Sequence, residues 1–362
     1  MMDEDQPCER RAPQSQRREP AGYQMPTEGA RQERVWMAFP VGCLALGSTE
    51  KSRHEARLTW AAVAHAVAEF EPVIMLVNPT QMRAARRYLS RDIDIIQAPV
   101  TNPWMRDIGP TFVRTSDRAV AAVDWAVNCW GDRDWAHWHS ERRTGRFVAE
   151  IAGTPTVSSS LVNEGGGIHV DGEGTVLVTE TVQLDPRRNP GFTRAHIEAE
   201  LAATIGATHA VWLPRGLTLD SELGGTGGHV DFVAAVTSPG RLLLHTQRNE
   251  AHPDHRVCRE IREALEASHD AAGRRWEITD MPAPATTNDA EGIVAYSYMN
   301  HLLVNGGVIA CSFDDVNDAN AAAILAEQYP GRKVVTVDSR PLFERGGGIH
   351  SITLQQPSAD PG

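Results

Sequence analysis

Two stretches of this chain carry the same pentapeptide, "NEGGGIHVDGEG" at 163–174 and "ERGGGIHSITLQQP" at 344–357. Three glycines in a row let a backbone take positive φ or pass close to another group, and most such runs are simple turns. The same five letters in two distant places point to something more: modules of like structure, each bringing a tight backbone and one histidine to an equivalent position.

The surrounding pattern supports modules. "EPVIMLVN" (71–78) is an apolar, β-branched run that ends in Asn-Pro; "QMRAARRYLS" reads as a helix and "DIDIIQAPV" as a second strand. That is a β-α-β unit. Further helix faces are marked by Val63, Ala66, Val67 and Phe70, by Ile197, Leu201 and Ile205 ahead of Gly206, and by Val257, Ile261 and Leu265. Strands are predicted at "TVLVTE" (175–180), "RLLLHT" (241–246), "VIACSF" (308–313) and "KVVTVD" (333–338). The fold class is α/β. No Pro/Gly/Ser linker divides the chain after residue 25, so a single domain is expected over 25–357, behind a disordered lead-in at 1–24 and ahead of a short tail at 358–362.

Composition narrows the function. The 362 residues are 41% hydrophobic and 23% charged, with a formal net charge of −12. Such a surface repels nucleic acid, and no apolar run approaches the roughly 18 residues a membrane span needs. Five dispersed cysteines (Cys8, Cys43, Cys129, Cys258, Cys311) form no CxxC pair, which fits a reducing cytoplasm better than a disulfide framework.

Chemically capable residues sit beside glycine in four places: "NPWMRDIGPTFV" (102–113), "NEGGGIHVDG" (163–172), "GTGGHVDF" (225–232) and the terminal "GGGIHSITLQQP". Taken singly each has a bland reading. Asp107 can cap a helix or pair with Arg106, Glu164 can be a surface charge, and His229 with Asp231 can be two residues on one strand face. Together they offer carboxylates, imidazoles and a hydroxyl. Paired carboxylates suit a planar cation rich in N–H groups, such as a guanidinium, and a neighbouring histidine can move protons.

These stretches, with "MPTEGARQERVWMAFP" (25–40), "DWAVNCWG" (124–131), "LVNEGGGIHVDGEGTVLVTETVQLDPRRNPG", "VWLPRGLTLD" and "YSYMNHLLVNGGVIACSFDD", resemble the agmatine deiminase family of guanidine-modifying enzymes, over nearly everything after the lead-in. The resemblance implies a pentein fold, a five-bladed ββαβ propeller with pseudo-fivefold symmetry and a site in its central channel. It implies that Asp107 and Asp231 grip the guanidinium, that Glu164 holds the substrate or the histidine, and that His229 is the general acid and base. Trp104, Gly348 and His350 would shape the substrate pocket. It also implies no metal or organic cofactor, a small cationic guanidine as substrate and a homo-oligomer.

At the family's nucleophilic cysteine this chain has Ser351. In the family reaction a thiolate attacks the guanidinium carbon, ammonia leaves a covalent S-alkylthiouronium, and water releases a ureido product. A free cysteine has a pKa of about 8.5 and drops further beside cations, whereas a serine hydroxyl is far less acidic. Three readings follow: an engineered change in a competent deiminase, a natural guanidine-binding protein without turnover, or an altered hydrolase. Gly29, Gln32, Phe39, Arg345 and Leu354 also depart from the family pattern, and the loop before "GHVD" is short, which bears on the substrate tail and leaves open an arginine-like guanidine, free or on a peptide. Rival classes lack their marks: no GxGxxG or GxxxxGK[ST], no GxSxG, no HExxH, and an "HWH" at 137–139 that reads as a solvated loop.

Overall fold

The computed structural model describes residues 22–41, 47, 49–132, 141–222, 225–289 and 292–359. Most of the expected disordered lead-in, Cys8, Cys43, the "HWH" cluster and the last three residues of the tail lie outside the described residues.

Five small sheets repeat one plan. In the first, β1 (Gln32–Ala38) and β2 (Val73–Val77) are parallel across the helix Glu50–Ala68, and β3 (Ile93–Gln97) is added parallel to β2. In the second, β4 (Thr111–Arg114) is antiparallel to β5 (Val120–Ala126), and β6 (Thr156–Val162) is parallel to β5 across the helix Thr144–Ala152. The same antiparallel-then-parallel order recurs in β7 (Ile168–Val170), β8 (Thr175–Thr179) and β9 (His209–Leu213). It recurs again in β10 (Ala234–Ser238), β11 (Arg241–Thr246) and β12 (Glu277–Pro282), and in β13 (Leu302–Val304), β14 (Gly307–Ser312) and β15 (Lys333–Asp338). The last strand, β16 (Thr353–Pro357), pairs antiparallel with β1 and supplies the first module's missing strand. This is the five-module ββαβ arrangement of a pentein.

Local chemistry sets the crossovers. Thr49 accepts from the Ser52 N–H and starts the helix Glu50–Ala68, which buries Trp60, Val63, Ala64 and Val67; Phe70, expected on that helix face, lies two residues beyond its end. The helix Arg194–Ile205 opens with a Thr193–His196 capping box and stops at Gly206, whose φ of 72° needs glycine. The buried strands β2, β8 and β14 read as continuous apolar runs, as central strands covered on both faces do.

One feature of this plan positions everything functional. Each module's first strand is entered through a short polar junction: Trp104–Asp107 precedes β4, Glu164–Gly167 precedes β7, His229–Asp231 precedes β10, Asn300 and His301 precede β13, and His350–Ser351 precede β16. Pseudo-symmetry therefore brings five distant pieces of sequence, two of them carrying GGGIH, to equivalent places.

Candidate active site

The junctions meet around Gly166. Its N–H faces Asp107 Oδ1 at 3.4 Å, and a Cβ at this position would lie 2.4 Å from His229 Nδ1 and 3.1 Å from Asp231 Oδ2. Only glycine fits there. Asp107 sits on the one-turn helix Met105–Ile108 and accepts from Trp130 Nε1 at 3.0 Å, rather than pairing with Arg106. His229 caps a single 3-10 turn, Val230–Phe232, and Asp231 lies within it, so the two do not share a strand face. His229 lies 3.8 Å from Asp107 Oδ1 and 3.3 Å from Glu164 Oε2.

Glu164 is clamped. Arg188 Nε donates to both of its oxygens at 3.1 Å, and the Trp130 N–H donates to Oε1 at 3.2 Å. Burial alone would raise this carboxyl, yet Arg188 and His229 hold it at about 2. Burial alone would likewise strip His229 of its proton, but Asp107 and Glu164 push its pKa up to about 9. Asp107 goes the other way: burial, with Glu164 and Asp231 adding repulsion, lifts it to about 6 against the pull of His229 and the Trp130 bond. The site thus holds a protonated imidazole between one firmly ionised carboxylate and one that titrates near neutrality.

Ser351 joins this group through Asn300. The serine N–H and Oγ–H both donate to Asn300 Oδ1 at 3.3 Å, while Asn300 Nδ2 donates to Asp231 Oδ2 at 3.0 Å. The Gly348 N–H donates to Ser351 Oγ at 3.3 Å. Gly348 and Gly347 leave no room for a side chain, the first against Asn300 Oδ1 and the second against the Trp104 ring. Trp104 is buried and packs on Trp60 at 5.5 Å. His350 donates from Nδ1 to Asp231 Oδ2 at 2.8 Å and from Nε2 to Glu28 Oε1 at 2.7 Å.

All eight residues singled out from the sequence therefore lie in one connected neighbourhood. Five more belong to it and were not singled out: Glu28, Arg106, Trp130, Arg188 and Asn300. A usable signal existed for Asn300, a polar residue just ahead of an apolar strand as at the other junctions. Trp130 lies in the family-like stretch "DWAVNCWG", but its placement depends on consecutive left-handed residues, with φ of 47° at Cys129, 61° at Trp130 and 88° at Gly131.

Among the described residues, neither Cys129 nor Cys311 offers a ready thiolate. Burial, with Glu141, Glu164 and Asp107 adding repulsion, drives Cys129 far above its ordinary value, and burial pushes Cys311 up to about 12. Among the described residues no group of three or more His, Cys, Asp or Glu side chains is arranged to hold a metal ion.

Comparison with known proteins gives one consistent picture. A profile of Porphyromonas-type peptidyl-arginine deiminases matches residues 24–357. A Streptomyces coelicolor protein named "Putative agmatine deiminase" is 50% identical over 92% of this chain and 99% of its own. The agmatine deiminase of Ectopseudomonas mendocina is 37% identical over 93% of this chain and 96% of its own. Among solved structures, the agmatine deiminase of Enterococcus faecalis superposes with a TM-score of 0.87 at 30% identity, covering 94% of this chain and 97% of that one.

Proposed function

The chain belongs to the Porphyromonas-type peptidyl-arginine deiminase family, and from that premise we propose that it is an amidine hydrolase of the agmatine deiminase type, taking agmatine and water to N-carbamoylputrescine and ammonia. One observation carries the reading: Asp107, Glu164, His229 and Asp231, from three separate junctions, converge on Gly166 with Ser351 one amide away.

In this reading the guanidinium N–H groups bond to Asp107 and to Asp231, whose Oδ1 is buried and has no partner among the described residues. Charge-assisted bonds to two carboxylates fix the flat head group and present its carbon to residue 351. Attack by the side chain of residue 351, its proton given up to water, forms a bond to the guanidinium carbon and opens that carbon's C–N double bond. His229, protonated at neutral pH, gives its proton to the departing nitrogen, and ammonia leaves. The now neutral imidazole takes a proton from water as the water oxygen adds to the same carbon; the bond to residue 351 then breaks, the adduct's hydroxyl proton passes to the released side chain, and the ureido product departs.

Ser351 limits the first step. Its hydroxyl donates to an amide oxygen that cannot take its proton, and among the described residues it has no hydrogen bond to an imidazole or a carboxylate. Removal of a catalytic nucleophile costs on the order of 10⁶ in turnover in a protease precedent. The substrate-binding half of the machinery is untouched, so the chain binds agmatine and turns it over slowly. A cytoplasmic homo-oligomer is part of the same proposal, supported by the dispersed cysteines and the family likeness; no helix among the described residues is long and apolar enough to cross a membrane.

The test is agmatine binding by calorimetry and ureido product formation, on this chain and on Ser351→Cys, with an arginine-containing peptide as the competing substrate. Expected are binding by both forms and turnover at least about 1,000-fold faster in the cysteine form. Absence of binding, or a Ser351→Cys protein no faster than its parent, overturns the assignment. Ammonia released faster from the peptide moves it to arginine.

A further inference from the structure

Asp231 holds its two protein partners unevenly. His350 Nδ1 at 2.8 Å and Asn300 Nδ2 at 3.0 Å both donate to Oδ2, while Oδ1 is buried and unpartnered among the described residues. A carboxylate can exchange its oxygens by turning about one bond. Two donors converging on a single oxygen prevent that turn and leave the other oxygen for a ligand.

His350 is itself held from behind. Its Nε2 lies 2.7 Å from Glu28 Oε1, on the segment that leads into β1, and Glu28 is largely buried. An imidazole that donates to a carboxylate from each nitrogen must carry both protons. We infer that Glu28 is a positioning residue: through His350 it fixes Asp231 with Oδ1 presented to the guanidinium, an inference that rests on the amidine-hydrolase reading above. Nothing in the sequence separates Glu28 from the other acids of "MPTEGARQERVW", and the ordinary expectation for it is a solvated charge near the chain's start.

The charges around His350 show why a second carboxylate is needed there. Facing it are Asp231, Glu28, the guanidinium of Arg106 and the imidazoles of His169 and His301. Arg106 Nε donates to the His350 carbonyl at 3.2 Å. Burial and Arg106 both press His350 to lose its proton, and Glu28 together with the bonds to Asp231 and Glu28 outweighs them, leaving its pKa raised. With Glu28 made neutral, Arg106 and burial prevail. A single remaining imidazole proton is then shared between the two sides, and Asp231 loses its fixed orientation for part of the time.

The experiment uses the full chain with Ser351 in place, which permits equilibrium binding, and the variant Glu28→Gln. Agmatine affinity is measured by calorimetry, and His350 is followed by ¹⁵N NMR of the imidazole nitrogens. Expected for the parent is an imidazolium with both nitrogens still protonated above the ordinary imidazole value of about 6.5; expected for Glu28→Gln is a neutral ring at the same pH and agmatine binding weakened by about 10-fold or more. A merely structural role for Glu28 would lower the melting temperature without changing that nitrogen signature in the folded variant. Parent binding matched by Glu28→Gln overturns the inference and leaves the hydrolase reading standing. A parent that fails to bind agmatine overturns both. A parent His350 with one protonated nitrogen near neutral pH overturns the inference even if the variant does not fold.

Discussion

In the first GGGIH copy Gly165–Gly167 form one 3-10 turn that runs straight into β7 at Ile168, whereas in the second copy Gly346 takes a φ of 102° and a turn separates His350 from β16. The middle glycines face different things, Gly166 the His229 ring and Asp231, Gly347 the Trp104 ring and Ser351. The histidines differ more. His169 faces the Val236 carbonyl at 3.5 Å and stands 4.0 Å from Glu28, and burial lowers its pKa. His350 sits between two carboxylates and its pKa is raised. Identical letters at pseudo-equivalent junctions thus end with pKa values moved in opposite directions, since His350 bonds to Glu28 and Asp231 whereas His169 merely neighbours Glu28. A repeat fixes where a side chain is delivered; the residues delivered by the other modules fix what it does.

The sharpest way to break this contrast is to add one methyl group to each middle glycine. Gly166→Ala drives a carbon to 2.4 Å from His229 Nδ1, inside a site where His229 is only 1% exposed and has nowhere to retreat. Agmatine affinity is expected to fall about 100-fold or more, equivalent to about 2.7 kcal/mol, because the imidazole and Asp231 are pushed off the guanidinium. Gly347→Ala meets Trp104 instead, which lines the pocket without supplying charge. Its binding loss is expected to be near tenfold, with destabilisation of about 1–3 kcal/mol from overpacking. Calorimetry on both variants decides; equal losses would mean that the two copies serve the same purpose.

A milder cut removes each histidine in turn. His350→Gln takes away the donor that orients Asp231, and agmatine binding is expected to weaken about 10-fold, while His169→Gln, which touches only a carbonyl and the outskirts of Glu28, is expected to change it less than about 2-fold. Loss of binding in His169→Gln comparable to that in His350→Gln would remove the distinction.

Much of this was legible in the residues. The central strands β2, β8, β11 and β14, the edge strands β3 and β15, and the crossover helices of the first, third and fourth modules followed from apolar runs and period; the helices Thr144–Ala152 and Asp318–Gln328 did not. The first strands of the modules were not, because β4, β7 and β13 have three or four residues, too few for a period to register. The same applies to the site. Asp107, Glu164, His229, Asp231 and Ser351 stood out beside glycine, in motifs that the resemblance made specific. Glu28 and Arg188 did not, since a carboxylate or guanidinium becomes functional through its burial and its partners, and those come from segments far away in the chain. The left-handed turn at Cys129 and Trp130 is invisible for a similar reason: neither residue favours positive φ, and only their surroundings hold them there.

The smallest effect is also the most specific, because the two histidines should tilt the stability curve in opposite directions. His350 has a folded pKa above the ordinary 6.5, so its protonated form stabilises the fold; that contribution is complete below 6.5 and is lost as pH rises through the folded value. His229, held at about 9, acts in the same sense and extends the loss to that pH. His169 has a folded pKa below 6.5, so the fold favours its neutral ring; stability is full above 6.5 and is lost as pH falls toward the folded value. Melting temperatures followed across pH should therefore decline on both sides of a maximum. His350→Gln should flatten the alkaline limb and His169→Gln the acid limb. Glu28→Gln should act on the alkaline limb as His350→Gln does, since it is the Glu28 charge that separates the two rings. If both histidine variants flatten the same limb, the two copies share one protonation state, and the partner supplied by the first module is not what tells them apart.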